Sequence, residues 1–278
     1  MNDPVTMRRK LRVELKRLRT ARDLTQRHVA DQLDWSQSKV IRIENGNVAV
    51  GVTDLQALLR LYGVDDQEAI DGMVEMAKGS KRLPFTDYKD VLPTETLRFF
   101  AYESSASIIR QWQGLLISGL LQTEEYARAL LSSWGMEQSR INQVWAARLE
   151  RQELLERAEP PEMFFILDEA AVYRPVGGEG VMRHQRARLL ELAERPRVTI
   201  QVVPFSVGAH AGMRGPFNYL EFPGADNADV LYLEGQMGDY VFRDEEDVLS
   251  EYLERFFALE KIASSPKGLE KALAGLPH

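Results

Sequence analysis

The sequence predicts a mainly α protein whose C-terminal half is α+β: an N-terminal five-helix bundle, a linker, then a helical section joined to a small β-sheet. Three observations carry this. Apolar residues recur at helical spacing through the first 80 residues, with polar cap residues at each break. Residues 81–93 hold two prolines and mixed polarity, as a linker does. From Met163 onward, short β-branched and aromatic runs bounded by turn residues replace the helical period. A chain of 278 residues has room for two such domains, placed at 1–80 and 94–278.

The first helix runs from about Met7 to Arg22, with Leu11, Leu15 and Leu18 on one stripe and Arg8, Arg9, Lys10, Arg12, Lys16, Arg17, Arg19 and Arg22 on its other faces. Thr25 is an N-cap for the second helix, which buries Val29, Ala30 and Leu33. Asp34-Trp35 is a break. Ser36 caps the third helix, where Val40, Ile41 and Ile43 are apolar, and Asn45-Gly46 ends it. Thr53-x-x-Gln56 has capping-box spacing and opens a fourth helix with Leu55, Leu58, Leu59 and Tyr62. Asp65-x-x-Glu68 opens a fifth, ending near Gly79.

In the second half, Thr94–Trp112 reads as a helix with Leu97, Phe100, Ala101 and Ile108 at helical spacing. Thr123–Trp134 follows, with Tyr126, Ala127, Leu130 and Leu131. Ser139–Arg157 is long and charged, with Ile141, Val144, Trp145, Leu149 and Leu155 inward, and Pro160-Pro161 ends it. Met163–Leu167 reads as a buried strand. Gly177-Gly178 precede a helix over Glu179–Glu194, which Pro196 stops. Val198–Val203, Phe217–Phe222 and Val230–Leu233 are strands, the last two joined by a hairpin loop, PGADNAD. Asp244–Ile262 is the final helix, with Val248, Leu249, Tyr252, Leu253 and Phe256 inward. The tail after Ser264 is weakly patterned.

Composition narrows the function. No run approaches the roughly 20 apolar residues of a membrane span, and MNDPVTMRRK lacks the apolar core of a secretory signal. The absence of cysteine excludes disulfides, zinc fingers and thiolate catalysis, and fits a reducing cytoplasm. The net charge of −7 is unevenly spread: residues 1–82 carry a net of +3 and the remainder −10. Residues 1–45 alone hold 11 basic and 6 acidic side chains. A basic module attracts phosphate and an acidic one is repelled by it, so the two halves call for different partners.

The segment Leu24–Gly46, LTQRHVADQLDWSQSKVIRIENG, places two short helices around a tight break. This is the helix-turn-helix arrangement, in which the second helix lies in the major groove and its first residues reach base edges. Its exposed start is expected at Ser36, Gln37, Ser38 and Lys39, with Val40 and Ile43 buried behind and Trp35 plugging the turn. The Gln37 amide suits the N6/N7 edge of adenine, and Lys39 and Arg42 suit guanine or phosphate. Thr25, Gln26 and Arg27 at the start of the second helix, and Asn45 after the third, are expected phosphate contacts. A plain helical bundle with polar caps would account for the helices but not for Gln37-Ser38-Lys39 set beside Thr25-Gln26 in this register.

The match Leu24-Thr25-Gln26, Val29-Ala30, Leu33, Trp35-Ser36, Ser38, Val40, Ile43-Glu44 and Gly46 is gap-free and resembles the Xre/Cro/CI repressor family over about residues 7–78. The resemblance implies a lambda-repressor-like bundle and sequence-specific binding to double-stranded DNA. Asp34 stands where that family usually has glycine; Asp tolerates the left-handed turn better than most residues.

The segments GLLQTEEYARALL (Gly119–Leu131), RLERQELL (Arg148–Leu155), LDEAAVYRPVGGEGVMRHQRARLLELA (Leu167–Ala193), VTIQVVPFSVGAHAGMRGPFNYLEF (Val198–Phe222) and VLYLEG (Val230–Gly235) are similar to the DUF5753 domain of the Scr1/WhiJ-like actinomycete regulators. Ile117-Ser118 departs from that family's hydrophobic-Pro before GLLQT. The resemblance implies a signal-receiving domain and a small DUF397-type protein as a direct partner. In the residues themselves, Arg148, Arg151, Glu169, His210, Arg214 and Glu234 are expected to line an effector pocket, beside the glycine-rich loop Gly208–Pro216. A structural ion pair between Arg148 and Glu169, and glycines that merely permit tight turns, are the plainer alternative.

No catalytic constellation stands out. The four histidines, His28, His184, His210 and His278, lack metal-site spacing. Asp168 and Glu169 are adjacent and would face opposite sides of a strand. Gly177-Gly178-x-Gly180 lacks the dinucleotide fingerprint and no G-x-S-x-G occurs. The expectation is a cytoplasmic, cofactor-free and metal-free regulator, nucleoid-associated when on DNA, that is not an enzyme. Regulators of this type bind as homodimers on near-palindromic operators with half-sites about 34 Å apart. An antitoxin-like interaction module with autoregulatory DNA binding is the alternative.

Overall fold

The computed structural model describes residues 4–223, 229–235, 239–242 and 245–274. Most of the expected PGADNAD hairpin loop, the expected helix start at Asp244, and His278 lie outside the described residues. The chain divides into two compact units, one reaching to Thr86 and the other beginning at Asp87.

Five helices build the first unit: α1 (Pro4–Thr20), α2 (Gln26–Leu33), α3 (Gln37–Glu44), α4 (Val52–Leu61) and α5 (Gln67–Gly79). Helix α1 starts three residues earlier than Met7 because Pro4 suits a first helical turn, where no N–H partner exists to be lost. Leu11, Leu15, Val29, Ala30, Val40, Ile43, Leu55, Leu58, Leu59 and Tyr62 form its buried core. Each buried aliphatic side chain contributes about 1.5–3 kcal/mol through removal from water. Two helix starts differ from the sequence reading. Thr53 lies inside α4, whose N-cap is Gly51 without any side-chain bond. Asp66 rather than Asp65 caps α5, its carboxylate accepting the Glu68 N–H at 3.0 Å.

The segment read as linker holds a 3-10 turn at Thr86–Tyr88. Its later residues pack on the second unit: the Tyr88 hydroxyl donates to Glu150 at 2.9 Å, and Val91 sits against Leu131, Ile141 and Val144.

The second unit is a six-stranded mixed sheet with helices. In chain order it holds α6 (Thr94–Glu103), β1 (Ile108–Gln113), α7 (Glu124–Ser133), α8 (Gln138–Gln152), β2 (Glu162–Asp168), α9 (Glu169–Tyr173), α10 (Glu179–Ala193), β3 (Val198–Val203), β4 (Phe217–Glu221), β5 (Val230–Leu233), β6 (Tyr240–Phe242), α11 (Glu246–Ile262) and α12 (Leu269–Ala274). The strand order is β3-β2-β1-β4-β5-β6. Strands β1, β2 and β3 are parallel, as their helical crossovers require, and β4, β5 and β6 run antiparallel to their neighbours.

Register sorts the side chains onto two faces. Trp112, Ile166, Val203, Phe217, Tyr219 and Leu231 share one face and pack under Leu249, Phe256 and Leu259 of α11. Gln111, Asn218 and Tyr232 lie on the opposite face in successive strands. There Phe99 of α6 stacks on Tyr232 with ring centroids 4.1 Å apart.

Three readings of the second half are corrected. The helix expected over Thr94–Trp112 ends at Glu103, and Ile108–Gln113 is instead the strand β1, at the centre of the sheet. Leu149, expected inward, is 53% exposed. The tail after Ser264 folds into α12, which buries Leu269 and Leu273. Strand β6 and the short helix α9 carried no sequence expectation.

Candidate nucleic-acid interface and a buried polar cluster

Helix α2 opens on Thr25, whose hydroxyl accepts the His28 N–H at 3.1 Å. It closes on Asp34, which adopts the left-handed conformation at φ 54° and ψ 44°. That residue reverses the chain into Ser36, whose hydroxyl accepts the Lys39 N–H at 3.3 Å and starts α3. Both caps and the left-handed break therefore fall at the residues the sequence marks for them. Trp35 packs partly buried against the core. Val40 and Ile43 turn inward, and Ser36, Gln37, Ser38 and Arg42 are exposed. Ser38 and Arg42, four residues apart, share one helix face. Thr25 and Arg27 are exposed at the start of α2. Asn45 is half-buried at the C-cap of α3.

Two of the expected DNA contacts have structural duties. The Gln26 amide donates to Glu44 Oε2 at 2.8 Å. Lys39 Nζ lies 2.9 Å from Asp54 Oδ1 and 3.7 Å from the centre of the Trp35 ring. The Lys39–Asp54 pair is about one-third exposed on each side. Such pairs are worth little in solvent, so exchanging Asp54 for a phosphate is an inexpensive step. Glu44 has the largest role that sequence reasoning did not assign. It is 3% exposed and receives Arg19 as well as Gln26. The signal was its place in the Ile-Glu-x-Gly match, where a carboxylate among apolar residues needs a cation.

In the second unit, Arg148, Arg151 and Glu234 come together on the sheet face that carries Gln111 and Asn218. Arg151 is tied to the fully buried Glu103 in a bidentate pair, with Nε 2.5 Å from Oε2 and Nη2 2.8 Å from Oε1. Gln111 donates to Glu103 at 2.9 Å and accepts from Ser118. Ser118, at the position where the DUF5753 resemblance breaks, is thus a buried hydrogen-bonding residue. Arg148 donates to Gln122 Oε1, and Gln122 donates to the Ile117 carbonyl. Burial draws the Arg148 guanidinium down to about 10, with the positive charge of Arg151 adding to the effect. Glu234 is exposed at the edge of the cluster, and partial desolvation by the surrounding protein raises its carboxyl, opposed by the neighbouring Arg151 and Arg148. Asn218 is 1% exposed, and its Nδ2 has no hydrogen-bond partner.

The other three residues expected at that pocket lie elsewhere. Glu169 accepts the Phe205 N–H at 2.6 Å, beyond the end of β2. His210 Nε2 is 3.2 Å from Asp168 Oδ2, and its ring meets Trp112 edge-on, on the α11 side of the sheet. Arg214 is exposed and pairs with Glu251 at 3.3 Å. The ion pair considered between Arg148 and Glu169 does not form; each has a different partner. Asp168 and Glu169 do not oppose one another across a strand, because the strand ends at Asp168, which caps α9 by accepting the Ala170 N–H at 2.9 Å.

A family model described as a domain of unknown function (DUF5753) matches residues 96–271. A second, described as a helix-turn-helix domain, matches residues 10–70. No significant match is found among curated proteins or among solved structures. No helix of the described residues is long and apolar enough to cross a membrane.

Proposed function

The chain belongs to the DUF5753 family and carries a DNA-binding helix-turn-helix domain ahead of that region, and from this premise we propose a regulator of transcription that reads its operator through α3. The observation that carries the reading is the exposed Ser36-Gln37-Ser38 start of α3, backed by buried Val40 and Ile43. Gln37, Ser38 and Arg42 meet base edges or adjacent phosphates, while Thr25, Gln26, Arg27, Lys39 and Asn45 hold the backbone. The protein acts as a homodimer on a near-palindromic operator, with half-sites about one helical turn apart. It works in the cytoplasm, on the nucleoid, and performs no catalysis.

The DUF5753 half receives the signal, either a small ligand or a small DUF397-type protein, as in the Scr1/WhiJ-like regulators it resembles. Its acidic balance of −10 beyond residue 82 sets it apart from the basic N-terminal module and suits a partner other than DNA.

Footprinting on the protein's own promoter region tests the reading. A protected, two-fold-related pair of half-sites, with affinity falling steeply as salt rises, is the expected result. Absence of retention at low salt on any duplex from the native chromosome overturns it.

A further inference from the structure

We propose that the polar cluster on the α6–α8 face of the sheet is an effector site for a small monocarboxylic acid, with Arg148 as the residue that takes the carboxylate. The proposal rests on the reading of the DUF5753 half as a signal-receiving domain and gives that signal a chemistry.

Arg148 is the first reason. It is half-buried, no carboxylate lies within 4.0 Å of its guanidinium among the described residues, and its one hydrogen bond goes to the neutral Gln122. A cation partly withdrawn from water without a direct carboxylate partner gains from an anion that arrives later. Its neighbour Arg151 shows the contrast: Glu103 neutralises it fully through two hydrogen bonds. One arginine of the cluster has a direct carboxylate partner, and the other has none within 4.0 Å.

Asn218 is the second reason, independent of the first. Its side chain lies on the same face, beside Gln111 on β1 and Tyr232 on β5, and its buried Nδ2 donates to nothing. A buried amide left unbonded is costly, so the donor is there for an acceptor not yet bound.

The residues around these two groups set the class. One open charge calls for a monoanion. Glu234, which sits within electrostatic reach of both arginines, disfavours a doubly charged phosphate. Phe99 and Phe100 lie under Arg151, and Tyr232 stacks on Phe99, so the neighbouring surface is aromatic. Gly119 leaves room for the guanidinium groups: a Cβ there would fall 2.8 Å from Arg151 Nη1 and 3.6 Å from Arg148 Nε.

Benzoate, hexanoate and inorganic phosphate, each titrated calorimetrically into the full-length protein without DNA, test the assignment. At least one carboxylate is expected to saturate at one per chain and phosphate not to bind. Arg148→Met is expected to weaken that carboxylate at least about tenfold, as loss of a charge-assisted pair does, and the exposed Arg183→Met to leave it unchanged. Saturation by neither carboxylate, equal binding of phosphate, or unchanged carboxylate affinity on Arg148→Met overturns the proposal. None of these results bears on operator binding, and loss of operator binding leaves this site untouched.

Discussion

Arg19 near the end of α1 and Glu44 at the end of α3 form a two-point ion pair, with Nε 2.5 Å from Oε1 and Nη2 3.1 Å from Oε2. Gln26, the first residue of α2, donates to the same carboxylate. One buried acid therefore fixes the start of α2 and the end of α3 against α1. The angle between the two helices of the DNA-reading motif depends on it.

Glu44→Ala leaves Arg19 with no carboxylate in a nearly buried position. Removing one partner of such a pair costs about 3 kcal/mol or more. Urea melts followed by far-UV circular dichroism should show an early loss of helix, assigned to the first unit. Glu44→Gln, which still accepts one hydrogen bond, should lose less.

Gln37→Ala should relax base choice at one operator position, at about 1–3 kcal/mol for the preferred base, with little change elsewhere. Binding to a set of single-base operator variants measures it. Arg17 is the contrast. Its guanidinium is exposed and bonded to Glu14 at 2.6 Å within the same helix. Arg17→Ala should change affinity for all sequences alike or not at all.

Asp34 holds a left-handed conformation that most side chains avoid. Asp34→Ala should lower stability by about 1 kcal/mol, because alanine lacks the short polar group that eases this region. Asp34→Gly should be neutral or slightly stabilising, since relief of the steric cost is offset by the greater freedom of the unfolded chain. Thermal melts should show the Tm falling for Asp34→Ala and unchanged or slightly raised for Asp34→Gly.

Glu234 has a pH signature. Partial desolvation raises its carboxyl in the folded protein above the ordinary value of 4.5. Between that ordinary value and the raised one, the folded state binds more protons than the unfolded state, so stability falls as pH rises through the window. Glu234→Gln should remove that slope and raise the Tm at pH 7. A Tm–pH profile identical to that of the parent protein contradicts this.

Gly119→Ala should destabilise the second unit by about 1–3 kcal/mol. The added Cβ meets Arg151 Nη1 at 2.8 Å, and the two bonds to Glu103 prevent that side chain from moving aside. The same substitution in Arg151→Met protein should be milder, which a double-mutant cycle reads directly.

The helix-turn-helix was legible nearly to the residue because its signals are local. Thr25, Asp34, Ser36 and Gly46 each act on the backbone within four residues of themselves, through a cap or a left-handed turn. The strand β1 was not legible. Its polar Arg110, Gln111 and Gln113 break the apolar run expected of a central strand, and Ile108 falls at helical spacing after Phe100 and Ala101. Those polar groups are satisfied by distant residues: Arg110 by Glu221, and Gln111 by Glu103 and Ser118.

The expected effector residues divide for the same reason. Arg148 and Arg151, three apart on one helix, were bound to be neighbours, and Glu234 joins them only because β5 pairs beside β4 and aims that residue at their face. Glu169 and His210 looked equally eligible in the sequence, yet they serve the far ends of β2 and the loop after β3.

What the sequence by itself determined is the two-part order, the cap-by-cap course of the first unit and the exposed start of α3. Those follow from propensities and turns that act over a few residues. Only the tertiary structure decided which polar side chains are spent on one another and which are left over. Whether Arg148 and Asn218 have partners depends on strand register and on residues far away in the chain, and no local pattern encodes the balance of charge in a buried space.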